Sequence, residues 1–434
     1  MLCPNISVNE KNHLCFAGFD TAELVEEYGS PLYLYDEELI RARCRLYRSA
    51  MSRWLGHGSK PLYAGKAACF RYMYEIMAQE QMCVDLVSVG EIYTALKAGF
   101  PMENAYFHGS SKTDEELRFA IESGVGCIVV DGFDELYALE AVAGKMGVRQ
   151  HVLLRLTPGI DPHTYEAIAT GKVDSKFGVA IETGQAEEFL KAALDCDNII
   201  LDGYHCHVGS MVFDEEGSVY HDTAEIMLSF MHGMNLKYGI SPKVFNIGGG
   251  YAVRYLESDP GIDIEENIRK LSVFIGEYCA RLGMEQPCIL MEPGRSIVAE
   301  AGMTLYSVSA IKSIPGYKNY VSVDGGMTDN PRYALYEAPY TVYNATAVEG
   351  EDTIRCDLVG RCCESGDIVQ PDVTITRPKR GNLVAVCTTG AYNFSMASNY
   401  NRVPRLPVIM LSEGKSRCVV RRETLEDIIA RDIV

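Results

Sequence analysis

From Pro61 onward the chain alternates short, almost wholly apolar runs with longer segments in which apolar positions recur every three to four residues. The runs are PLYAG, CVDLVS, NAYFHG, CIVVD, HVLLRL, IILDGYHCHV, KVFNIG and CILMEPG. Runs of this length, bounded by turn residues, predict eight strands buried on both faces. Between them FRYMYEIMAQE, GEIYTALKAGF, TDEELRFAIESG and the stretch 262–282 carry helical periodicity, several opened by Asp, Thr or Gly and closed by Gly. Eight strand–helix alternations in roughly 230 residues match an α/β fold of the (β/α)8 barrel type, usually about 250 residues long. An open doubly wound sheet is the competing architecture.

At Met303 the texture changes. TLYSVSAIK, YVSVDGG, YTVYNATAV, DTIRCDLVG, NLVAVCTTG and RCVVRRE are alternating and rich in β-branched residues and Tyr, with no helical segment between them. They predict an antiparallel β-sandwich or barrel domain, which the early strand PLYLYDE is free to join. The predicted organisation is residues 1–37 joining the β domain, 38–300 forming the barrel and 301–434 the C-terminal β domain. A length of 434 residues fits two cores better than one. The sequence has no internal repeat and no low-complexity tract.

Composition narrows the function classes. With 47% hydrophobic and 23% charged residues the chain reads as globular, and no apolar run approaches the roughly 20 residues that cross a bilayer. The opening MLCPNISVNEKNH shows no targeting pattern, so a cytoplasmic location is expected. A formal charge of −19 argues against nucleic acid or an anionic membrane as partner, but not against a small anionic substrate held by local arginines. Fifteen cysteines, odd in number and without metal-ligand spacing, predict reduced, mostly buried thiols and no metal site. Cys362 and Cys363 are adjacent, which disfavours a mutual disulfide.

The polar and glycine-rich residues of the first domain gather at the ends of the strand runs, the face of a barrel where catalytic groups collect. Lys66 follows PLYAG, Asp85 lies in the second run, and His207 and Ser210 follow DGYHC. Gly248, Gly249 and Gly250 follow VFNI, and Glu292, Gly294 and Arg295 follow CILM. A lysine opening a βα loop is expected to be partly desolvated and so more readily deprotonated, as an amine that attacks a carbonyl must be. Taken singly it reads as a surface lysine. Three glycines let backbone N–H groups approach an anion at a helix start, although glycines also make plain turns. Taken singly, His207 reads as a satisfied core histidine and Glu292 as a salt-bridged loop residue.

Nine motifs in order carry a more specific signal: YAGKA, DLVSVGEIYTALKAGFP, HGSSKT, TGKVDSKFG, HCHVGS, NIGGG, EPGRS, CCESGD and GAYNFSMASNYN. Together they resemble the fold-type III pyridoxal-phosphate decarboxylases, the ornithine, diaminopimelate and arginine decarboxylase group, and most closely its diaminopimelate branch. The resemblance spans nearly the whole chain.

It implies a pyridoxal 5'-phosphate cofactor held as an imine by Lys66. Glu292 would keep the pyridine nitrogen protonated, which favours decarboxylation; the alanine racemases, with the same barrel, carry an arginine there. His207 would lie against the ring and Asp85 would assist cofactor binding. Ser210, Gly249, Gly250, Gly294, Arg295 and Tyr392 would hold the phosphate. Cys363 would protonate the product carbon from the neighbouring subunit of a homodimer with shared active sites. Arg295, Arg332 and Tyr336 of PRYALYEA, with Glu364 and Tyr392, would bind the far end of an amino-acid substrate bearing both a carboxylate and an amine, so that meso-diaminopimelate yields L-lysine. Ala68, HGSSKT, Met211 and Arg361 depart from the common family form, and none removes a reactive group. Another amino-acid substrate of this fold, such as carboxynorspermidine, a carrier-tethered or a D-amino acid, stays open. So does a non-catalytic relative that binds a partner protein.

Overall fold

The computed structural model describes residues 2–56, 58–160, 174–213 and 217–433. The motif TGKVDSKFG begins outside the described residues, which resume at Asp174. Contacts divide the chain into two compact units: Arg43–Ala252 with Ile262–Gly294, and Met1–Ala42 with Val253–Gly261 and Arg295–Val434.

In the first unit all eight predicted runs are strands: β1 (Lys60–Ala64), β2 (Cys83–Leu86), β3 (Ala105–Phe107), β4 (Cys127–Val130), β5 (Gln150–Thr157), β6 (Ile199–His205), β7 (Val244–Asn246) and β8 (Cys288–Met291). Each pairs in parallel with the next, and β8 pairs with β1, which closes a barrel. Leu62, Cys83, Cys127, Val129, Leu153 and Leu290 form one buried cluster contributed by β1, β2, β4, β5 and β8. With its apolar positions spent on packing, the barrel leaves chemistry to the loops at the C-terminal ends of its strands.

The helices between strands start where the local sequence satisfies their first N–H groups. Thr113 and Glu116 make a reciprocal capping box on Asp114–Glu122, and Ser88 and Asp263 accept N–H bonds at the starts of Val89–Lys97 and Ile264–Leu282. Each such cap is worth about 1 kcal/mol.

In the second unit Leu32–Asp36 lies between Gly302–Ile314, antiparallel to it, and Val408–Ser412, parallel to it. The N-terminal strand thus joins a sheet whose other strands come from the C-terminal third of the chain. Leu32, Leu34, Met303, Leu305, Ala385, Cys387, Ile409 and Leu411 are buried together. Besides the parallel pairing of Leu32–Asp36 with Val408–Ser412, two features depart from the expected antiparallel, helix-free domain. Lys318–Val323 pairs in parallel with Thr353–Val359, made possible by the long connection 324–352. That connection holds the short helix Arg332–Tyr336, and Asn393–Met396 and Leu425–Ile429 are also helical. All fifteen cysteines are free thiols, most of them buried. Among the described residues no helix is long and apolar enough to cross a membrane.

Candidate active site

The ends of three other barrel strands bring side chains to one carboxylate. Glu292, the residue after β8, is buried. Asn246, the last residue of β7, donates from Nδ2 to its Oε1 at 2.7 Å. His205, the last residue of β6, places Nε2 at 3.3 Å from Oε2. His108, just past β3, brings Nε2 within 3.1 Å of Oε1 and 3.8 Å of Oδ1 of Asp85 on β2. The alignment makes no hydrogen bond there, so His108 Nε2 and Asp85 Oδ1 are buried polar atoms without one. The His108 and His205 rings meet edge to face at 4.9 Å.

Burial alone would raise the Glu292 pKa, but the two histidines more than reverse it and hold the carboxylate well below its usual range. Burial lowers His205 to about 4, so its ring is neutral near pH 7. Asp85 is shifted the other way, raised by burial against the opposing pull of His108. Two carboxyl groups that share His108 as a neighbour are thereby pushed apart in proton affinity, the pattern of a site that keeps one ionised.

Lys66 occupies the one-turn helix Gly65–Ala67 that follows β1. The residue as a whole is exposed between buried neighbours, whereas a partly desolvated lysine is the sequence expectation. Beneath the turn, Glu91 accepts the Val87 N–H at 3.0 Å, and burial pushes its pKa up to about 7. His207 is partly exposed, yet desolvation, followed by the Lys66 cation, pushes its pKa well below the usual imidazole range.

The glycines after β7 admit no side chain. A Cβ on Gly249 would lie 2.0 Å from the Glu292 carbonyl oxygen, and one on Gly250, where φ is +130°, 2.4 Å from that of Gly209. The loop therefore lies flush against the ends of β6 and β8. It opens no helix, contrary to the sequence reading; the next begins at Ile264, so an anion here would meet loop N–H groups without a helix dipole. Ser210 is half-buried in the adjacent loop, and a Cβ on Gly294 would press on Ala64 and Ala67 beside Lys66.

The second unit holds a separate cationic cluster. Arg295, buried, donates to Tyr255 Oη at 2.6 Å and stacks on the Tyr392 ring at 4.7 Å. Arg332, also buried, donates to Tyr340 Oη at 2.8 Å and covers the Tyr255 ring at 4.8 Å. Tyr340 in turn donates to Asn393 Oδ1 at 3.2 Å. Burial raises the Tyr255 phenol, and the two guanidiniums more than reverse that shift. Among the described residues neither arginine pairs with a carboxylate. Tyr392 adopts φ +70°, a left-handed conformation costly for a non-glycine residue.

Of the other expected site residues, Tyr336 ends the short helix and is exposed. Cys363 and Glu364 are exposed in the turn 360–367, where Cys363 N–H donates to Asn401 Oδ1 at 2.9 Å and Tyr400 Oη donates to Glu364. Their hydrogen bonds do not reach the arginine pair.

Sequence reasoning missed His108, His205 and Asn246, although each is a polar residue that ends or directly follows an otherwise apolar strand run. His108, His205 and Glu292 also bring ligand atoms within 4.8 Å of one another, a donor set that chain spacing conceals. Tyr255 and Tyr340 gave no local signal, because only the folded loop sets them against the arginines.

Residues 37–299 match the family model for the pyridoxal-dependent decarboxylase, pyridoxal binding domain. The class so defined is that of pyridoxal-phosphate-dependent decarboxylases built on a (β/α)8 barrel with a second, β-rich unit. The chain is 43% identical to the diaminopimelate decarboxylase of Bacillus subtilis (strain 168) over 425 residues, 98% of this chain and 96% of that protein. It is 38% identical to that of Staphylococcus aureus (strain COL) over 429 residues, 98% of this chain and 99% of the relative. The solved M. jannaschii diaminopimelate decarboxylase in co-complex with L-lysine superposes with a TM-score of 0.90 at 31% identity, covering 100% of this chain and 99% of that one. The chain belongs to the diaminopimelate decarboxylase family.

Proposed function

We propose that this protein decarboxylates meso-2,6-diaminopimelate to L-lysine and carbon dioxide, the last step of lysine biosynthesis. The observation that carries the substrate assignment is the pair of buried guanidiniums, Arg295 and Arg332, which face aromatic rings and, among the described residues, no carboxylate. Each presents a planar fork suited to a substrate carboxylate distant from the reacting carbon.

The barrel's own groups fit pyridoxal 5'-phosphate. An ionised carboxylate braced by Asn246 and His205 suits a protonated ring nitrogen, and Asp85 Oδ1 and His108 Nε2 are buried without a hydrogen bond beside it. Lys66, an exposed residue in the turn after β1, carries the amine that would bond an aldehyde carbon. When bound, the cofactor supplies an electron-accepting ring for the pair left behind by carbon dioxide.

In this reading Glu292 holds the ring-nitrogen proton, and Asn246 and His205 orient Glu292. Lys66 would hold the cofactor through its Nζ. His207 and Asp85 would help hold the ring. Ser210, Gly249, Gly250, Gly294, Arg295 and Tyr392 hold the phosphate through donated N–H and O–H bonds. Arg295, Arg332, Tyr336 and Tyr392 fix the distal carboxylate, and Glu364 takes the distal ammonium. Cys363 delivers the proton to the carbon that lost its carboxyl.

The exposure of Cys363 and Glu364 in their own unit supports service to a neighbouring subunit, in a homodimer with shared sites. We place the enzyme in the cytoplasm. A panel of substrates tests the assignment: kcat/KM for meso-diaminopimelate should exceed that for L-lysine, L-ornithine or L-arginine by at least about 10³-fold, the weight of an unpaired buried arginine against a missing carboxylate. A panel led by ornithine would refute it.

A further inference from the structure

One buried carboxylate outside the described chemistry ties together two of its working parts. Asp367 is 3% exposed and lies in the second unit. Its Oδ2 accepts the Cys362 N–H at 2.6 Å, and its Oδ1 accepts the Met327 N–H at 2.6 Å. Its backbone N–H returns to Glu364 O at 3.2 Å, and its carbonyl accepts the Gly360 N–H at 2.9 Å. The carboxylate therefore closes the turn that presents Cys363 and Glu364.

Met327 belongs to a second turn, in which Asn330 N–H donates to Gly326 O at 2.8 Å and Gly326 N–H to Asp329 Oδ1 at 3.0 Å. Through Pro331 that turn leads directly into the helix Arg332–Tyr336. The two turns also touch through the Arg361 N–H bond to Gly325 O at 2.9 Å. Space around Asp367 is closed: a Cβ on Gly360 would lie 2.3 Å from its oxygens, and one on Gly326 2.5 Å. A side chain on either glycine would therefore crowd the carboxylate.

We infer that Asp367 is a positioning residue that sets the Cys363–Glu364 turn against the turn carrying Arg332, so that proton delivery and distal-carboxylate recognition depend on one side chain. The inference rests on the proposed roles of Cys363 and Arg332. A short acceptor bonded to two backbone N–H groups has few alternative geometries, and Asp367→Asn replaces one acceptor oxygen by an NH2 group that would face a backbone donor.

The test is a pair of double-mutant cycles on the cofactor-loaded enzyme, combining Asp367→Asn with Cys363→Ser and with Arg332→Lys. Asp367→Asn alone should lower kcat about 10-fold and raise KM for meso-diaminopimelate several-fold, with the visible cofactor absorbance and far-UV dichroism retained. In the Cys363→Ser background its kcat effect should vanish, and in the Arg332→Lys background its KM effect should vanish. Additive effects in both cycles would reduce Asp367 to a structural residue and overturn the inference. If Asp367→Asn does not fold, Gly360→Ala, which crowds the same carboxylate, is carried through the same cycles with the same expected non-additivity. Should Cys363→Ser alone leave kcat unchanged, the proton-donor role itself fails, an outcome distinct from additivity.

Discussion

The 2.7 Å bond from Asn246 Nδ2 to Glu292 Oε1 joins the ends of two neighbouring barrel strands and fixes the carboxylate on which the site is built. His205, neutral near pH 7, braces the other oxygen. His108, with Nε2 3.1 Å from Oε1, and His205 keep Glu292 ionised in a buried place where a lone carboxylate would take up a proton.

Glu292→Gln keeps the shape and removes the charge. It should lower kcat by about 10²- to 10³-fold, the usual cost of losing one preorganised electrostatic partner, while Lys66 still takes up cofactor. Asn246→Ala should cost less, about 10-fold, because His205 remains. Steady-state kinetics with absorbance-verified loading checks both.

Lys66→Ala should abolish turnover and the visible absorbance of lysine-bound cofactor together. Retained turnover would remove Lys66 from its assigned role.

Arg332→Ala should raise KM for meso-diaminopimelate more than it lowers kcat, with a total loss in kcat/KM of about 2–4 kcal/mol for a desolvated charge pair. Arg332→Lys should recover only part of the loss, since an ammonium cannot match the planar fork. Equal losses on substrates with and without a distal carboxylate would contradict the assignment.

Glu91 gives a pH-dependent prediction. Its pKa in the fold is raised to about 7 by burial, above the ordinary glutamate value. The stability linked to a raised pKa is present below the unfolded value and is lost as pH climbs through the folded one. The folded protein should therefore lose on the order of 2–3 kcal/mol between about pH 4.5 and pH 7 from this group. Glu91→Gln cannot ionise, so its Tm relative to the parent should rise between about pH 5 and pH 8. A Tm difference independent of pH would show that Glu91 does not titrate there.

Much of this molecule was legible because periodicity and strand ends are local properties. The eight apolar runs became the eight barrel strands, and PLYLYDE joined the distant sheet, since its apolar residues need that core. What was hidden depended on tertiary placement. Ile368–Thr376 was overlooked with Pro371 inside it, and Val408–Ser412 with prolines just before it. The parallel pairing of Lys318–Val323 with Thr353–Val359 has no sequence period of its own. At the site, motif likeness reached Lys66, Glu292 and Arg332, whereas the neighbours that set Glu292's charge and hold the arginines were found only in space.

Carbon balance tests the account most directly. Purified protein loaded with pyridoxal 5'-phosphate and given meso-diaminopimelate should release carbon dioxide and L-lysine in equal amounts until the substrate is consumed. Fully loaded protein that releases neither, or that releases carbon dioxide without lysine, would contradict it.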